Sequence, residues 1–124
     1  MDSLQKQMEK IAGVYTATIT KGIKANVKKV VRQSVRRLKA ASPTRTRRYA
    51  RNWTYKKAFE DEFEERDIVF NKAPTYRLTH LLEKGHRSRN GGWVTAQKHI
   101  QPVEEWAIKE FEREVRRTIE NASE

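Results

Sequence analysis

Ten apolar residues recur at helical spacing along the first third of the chain: Leu4, Met8, Ile11, Tyr15, Ile19, Ile23, Val27, Val30, Val35 and Leu38. No proline interrupts them before Pro43. A periodic run of this length predicts one long helix, about 35 residues and on the order of 50 Å. Such a rod constrains everything that follows, because the rest of the chain must pack along it. Its weak points are Gly13, Gly22 and the β-branched run Thr16, Thr18, Ile19 and Thr20, where helix propensity falls and a break is expected if one occurs.

The face opposite the apolar stripe carries Lys21, Lys24, Lys28, Lys29, Arg32, Arg36 and Arg37. These residues read either as a solvated helix face or as a contact surface for DNA or a neighbouring subunit. The wider charge pattern is asymmetric. The formal net charge is +11, and from Lys10 to Phe59 there are 15 Lys or Arg and no Asp or Glu. Glu60 to Asp67 then holds six acids and one Arg. A basic block of this size calls for an anionic partner: nucleic acid, an acidic protein, or the acidic segment of a neighbouring copy. In the last case Glu62, Glu64 and Glu65 are the candidate contacts.

Ser42-Pro43 ends the helix, and Thr44 to Arg48 reads as a polar, basic loop. Asn52 to Phe59 is a strand candidate, with Trp53, Tyr55 and Lys57 on one face. Glu60 to Glu65 reads as a turn or loop too acidic to be buried, and Asp67 to Lys72, with Ile68-Val69-Phe70, as a second strand, the two spaced for a hairpin with a wide, acidic loop. Tyr76 to Lys84 is a short helix stopped by Gly85. His86 to Gly92 is expected to be a flexible loop, and Trp93-Val94-Thr95 a third short strand. A last helix begins at Pro102, with Val103, Ala107, Phe111, Val115 and Ile119 as its stripe, widened by Trp106 and Ile108.

The fold class is therefore α+β: a long N-terminal helix, a small antiparallel sheet, a short middle helix and a C-terminal helix packed on the sheet. We expect a single domain over 1–124, divided into the basic helix (1–40), the strands, short helix and loop (41–98) and the last helix (99–124). No internal repeat is visible.

Candidate chemistry is sparse. His80, His86 and His99 are spaced by 6 and 13 residues, with no i, i+4 pair, which is poor grammar for zinc. Ser88 with His86 would need a rigid site that a Gly/Arg-rich loop does not supply. Gly91-Gly92 lacks the spacing of a phosphate-binding loop. The acids of 60–67 lack the alternation of a calcium loop. Arg47, Arg48, Tyr49, Arg51, Trp53 and Tyr55 suit nucleic acid, cations for phosphate and rings for stacking, but the aromatics serve equally well as a buried strand face. No enzyme activity and no cofactor are expected. The chain has no cysteine, which fits a reducing compartment. Neither a signal peptide nor a membrane span is expected.

Two stretches carry a resemblance. One is Ser42-Pro43-Thr44-Arg45-Thr46, followed by Tyr49 and Trp53. The other is Tyr76-Arg77-Leu78-Thr79-His80-Leu81-Leu82-Glu83-Lys84-Gly85-His86, then Asn90-Gly91-Gly92, then His99-Ile100-Gln101-Pro102-Val103-Glu104-Glu105. Together they resemble the "gene product ten" family of minor structural proteins of lambda-like, long-tailed phages, in element order over nearly the whole chain. Arg47 and Tyr49 stand where that family has a glycine and a leucine. The resemblance implies a neck or tail-completion protein in the virion, a homo-oligomeric ring beside the connector and tail proteins, with duplex DNA passing through it. It brings no catalytic residues. Gly85, His86, Arg87, Arg89, Gly91, Gly92 and Trp93 read either as a turn that needs its three glycines or, the reading preferred for its two arginines and Trp93, as a docking loop that orders only when an adjacent ring docks. The alternative is a small basic DNA-binding protein acting outside the virion, although no helix-turn-helix or other reader is visible.

Overall fold

A computed structural model describes residues 2–43 and 47–122. The first helix, α1 (Asp2–Ala41), is a single unbroken element of 40 residues, so it spans about 60 Å. It does not break at either glycine. Thr18 Oγ1 donates to the Val14 carbonyl at 3.0 Å, satisfying the hydroxyl within the helix. Ser42 closes the end: its backbone N–H donates to Leu38 O at 3.0 Å, and its hydroxyl accepts the Trp53 indole N–H at 2.8 Å.

Of the basic loop expected at Thr44 to Arg48, Thr44–Thr46 lie outside the described residues. Arg47 and Arg48 are instead the start of a short helix, α2 (Arg47–Arg51), which turns Tyr49 into the core. The expected hairpin is present as β1 (Trp53–Glu60) and β2 (Glu65–Asn71). Its register runs from Trp53↔Asn71 to Glu60↔Glu65, with an irregularity between Lys57 and Phe59. The turn is tighter than expected. The Asp61 N–H donates to Glu64 O at 3.0 Å, and Asp61 Oδ1 accepts the N–H groups of Phe63 and Glu64, each at 2.8 Å.

A 3-10 turn (Thr75–Arg77) leads into α3 (Leu78–Lys84), which stops at Gly85 with φ +75°. The segment read as a flexible loop is a second hairpin: β3 (His86–Arg87) pairs antiparallel with β4 (Trp93–Val94). Its turn is fastened by Ser88 N–H to Gly92 O at 2.7 Å and Gly91 N–H to Ser88 O at 3.1 Å. Gly91 supplies the positive φ, +86°, that the turn demands.

The last helix, α4 (Ile100–Ala122), runs antiparallel to α1. Trp106 lies against Arg37, Glu114 against Lys29 and Thr118 against Asn26. Its first turns touch the sheet end of the core, but beyond them its partner is α1 rather than the sheet. The β1–β2 hairpin lies along the other flank of α1, from Trp53 beside Ser42 to Glu60 beside Lys24. The core is Val35, Leu38, Tyr49, Trp53 and Val103, with Val69, Leu82 and Ile100 packed on it. It gathers at the C-terminal end of α1, leaving the first turns of that helix outside.

Candidate interaction surfaces

The seven candidate contact cations of α1 divide into two groups. Lys28 and Lys29 are neighbours in sequence and so point about 100° apart. Lys28 reaches the hairpin flank, 3.6 Å from Glu65, while Lys29 reaches α4 and donates to Glu114 at 3.1 Å. Lys24 pairs with the Glu60 carboxylate at 3.2 Å and donates to the Asp61 carbonyl. Arg37 stacks its guanidinium 3.8 Å from the centre of the Trp106 ring. These four residues tie the two flanking layers to the rod. Lys21, Arg32 and Arg36 remain exposed and, among the described residues, have no carboxylate partner.

The basic block and the acidic segment therefore meet within one chain, and pairing between copies is not needed to explain them. Glu65 shows why the acidic run misleads. Strand alternation puts it on the same face as Asp67, Val69 and Asn71, and it is buried. Burial, followed by the neighbouring Asp67, raises its pKa, against which Lys28 pulls only partly. Among the described residues neither of its oxygens has a hydrogen-bond partner. Glu114, equally buried, goes the other way: the Lys29 hydrogen bond outweighs burial and lowers its pKa. Glu60 is lowered to about 2 by hydrogen bonds from Lys57 and then Lys24. Of the three acids expected to face a neighbour, Glu62 and Glu64 are exposed at the turn and Glu65 is not. Glu64 binds Arg66 at 3.0 Å, and Phe63, between Glu62 and Glu64, is 71% exposed.

The residues expected to form a docking loop are brought together on the β3–β4 hairpin. Arg87, Arg89 and Trp93 are exposed, Trp93 by 67%, and His86 is half-buried. Gly85 is fixed by space as well as by φ, since a Cβ there would stand 2.6 Å from Val94 O.

Two features escape sequence reasoning. The Glu83 carboxylate caps α4 from a distance: Oε1 accepts the N–H groups of His99 (2.9 Å) and Ile100 (3.0 Å), and Oε2 that of Gln101 (2.9 Å). Burial raises its pKa, but the three N–H donors and His99 together hold it below the usual carboxylate value. His99, almost wholly buried, is held by Gln97 O at 2.8 Å from Nδ1 and by the Tyr49 hydroxyl at 2.7 Å from Nε2. A carbonyl only accepts, so Nδ1 carries a hydrogen, and with Nε2 bare the ring accepts a hydrogen bond there from the Tyr49 O–H. Burial, then Glu83, pushes the Tyr49 phenol well above its usual pKa, keeping it a donor. Tyr49 and Trp53, read as possible base-stacking rings, are both core residues, packed edge to face at 5.8 Å. Among the described residues no three His, Cys, Asp or Glu gather as a metal-binding group.

The whole surface is large for the chain. It exposes 9654 Å² at a mass of 14.6 kDa, where a folded monomer of that mass exposes about 6,900 Å², an excess of roughly 2,700 Å². Neither family models, nor curated proteins, nor solved structures provide a match to this chain.

Proposed function

We propose that this chain is a structural subunit of the neck of a long-tailed bacteriophage, of the tail-completion type. In this reading copies form a ring that joins the head to the tail, contacts the neighbouring connector and tail proteins, and lets DNA pass. The observation that carries it is the excess surface: roughly 2,700 Å² beyond a monomer's norm is the scale of a permanent interface. The resemblance of Tyr76–His86 and His99–Glu105 to the "gene product ten" family supplies the particular assembly. Within those stretches Glu83, Gly85 and His99 hold the join between α3 and α4, so the resemblance falls on residues that set the fold and brings no chemistry with it. The place of action is the virion. No described helix is long and apolar enough to cross a membrane.

The test is a reconstruction of the neck from purified particles, with mass spectrometry of the same preparation. We expect this chain in multiple copies around the DNA axis. Its absence from purified virions, or its presence as a single copy, overturns the reading. A small DNA-binding protein acting outside the virion is favoured by one observation, the uncommitted cations Lys21, Arg32 and Arg36. Chains found on host or phage DNA in infected cells but not in particles would select it.

A further inference from the structure

The first turns of α1 carry an apolar stripe that none of the described residues covers. Leu4, Met8, Ile11 and Val14 are 63%, 62%, 69% and 61% exposed. Leu4, Met8 and Ile11 stand at i, i+4 and i+7, the spacing by which a helix presents anchors to a groove. At the other end of the same helix lies an open apolar groove of about 890 Å³. Its floor and walls include Leu38, Trp53, Val69, Phe70, Val103 and Ala107, and Arg77, His80 and Glu104 also line it.

We infer that the first turns of α1 from one copy dock in this groove on the next copy. The chain cannot close the contact on itself. Met8 and Leu38 sit in one continuous helix, about 45 Å apart, so the stripe and the groove are held at opposite ends of a rigid rod. Each copy then offers one donor and one acceptor, a heterologous contact that repeats from chain to chain and closes into a ring when the rotation permits. The areas agree with this. Four aliphatic side chains at these exposures offer about 400 Å² of apolar surface, half of the ~800 Å² that each partner contributes to a standard interface. The stripe itself carries no charge, so the charged groups it covers are the groove's own Arg77 and Glu104. This contact deepens the ring reading by naming the surfaces, but it is a property of the purified chain and is measured without a virion.

The chain has no cysteine, so introduced thiols report on contacts unambiguously. Ile11→Cys in one full-length preparation and Thr79→Cys, beside the groove, in another should give a disulfide-linked mixed pair when combined under oxidising conditions. Neither variant alone should cross-link comparably. A linked pair formed as readily by Ile11→Cys alone would show stripe against stripe and overturn the proposal, as would no linkage at the highest soluble concentration. As a second measurement, Met8→Glu with Ile11→Glu should weaken self-association at least about 100-fold in sedimentation. Circular dichroism should be unchanged, because both side chains lie outside the core. Self-association equal to the parent's overturns the proposal. A chain missing from virions that still forms the mixed pair would refute the neck assignment and keep this contact.

Discussion

Glu83 satisfies three of the orphan N–H groups at the start of α4 from a helix sixteen or more residues away. Removing its charge should therefore cost more than an ordinary surface substitution. Glu83→Gln is expected to lower stability by about 1–2 kcal/mol, the scale of a lost helix cap. The pH dependence follows from the direction of its shift. Its folded pKa lies below the usual carboxylate value, so its contribution is complete above that usual value and fades as pH falls through the folded pKa. Urea melts of the parent and of Glu83→Gln should thus differ near neutrality and converge in acid; a difference that stays constant down to strongly acid pH would contradict this account. Nothing in the sequence marks Glu83 as a cap, because its partners follow a hairpin that separates donor from acceptor. The His99–Tyr49 bond is hidden for the same reason: the two residues are fifty positions apart.

The long elements were legible and the short ones were not. Apolar spacing over many turns identifies α1 and α4, and the β-branched and aromatic runs identify β1 and β2. The five residues of α2 are too few to show a period, and three of them are arginines, so the segment reads as a loop. The two-residue strands β3 and β4 are likewise below the length at which alternation can be seen. The seven basic candidates were correctly placed on one helix, but sequence cannot tell that Lys24, Lys28, Lys29 and Arg37 would be taken up inside the chain, since this depends on which flank each layer occupies. Glycines show the same limit. Gly13 and Gly22 look alike as weak points, yet a Cβ at Gly13 meets nothing within 4 Å, while one at Gly22 would lie 2.4 Å from Thr118 Cγ2. Thr118 is not free to swing away without losing the Asn26 hydrogen bond at 2.8 Å. Gly13→Ala should stabilise the protein by up to about 1 kcal/mol through helix propensity. Gly22→Ala should destabilise it, by about 1–3 kcal/mol from overpacking set against that same gain. Thermal melts of the two variants should move in opposite directions, and a rise for both would show that α4 yields at Thr118.

At the scale of the whole molecule, the basic rod should bind duplex DNA without sequence preference, but more weakly than its seven candidate cations imply. Three of them, Lys21, Arg32 and Arg36, are uncommitted, and each phosphate neutralised contributes a log–log salt slope of about −0.9, so this face accounts for a slope of about −3. Replacing those three with Gln should reduce the magnitude of the parent's slope by about that amount; no change would remove the face from DNA contact. Reversing Lys28 or Lys29, by contrast, should be read in stability, because each sits against a buried carboxylate. The continuity of α1 has a mechanical consequence. A helix without a hinge behaves as a ruler with an angular scale: each residue adds about 1.5 Å and turns what lies ahead of it by about 100°. One residue inserted before Lys21 would swing the leading stripe to a different azimuth while hardly changing its reach. Seven would bring it back to within about 20° and push it some 10 Å outward. Spacing and orientation between successive bodies are thus written in the residue count of a single helix, and they can be altered one at a time.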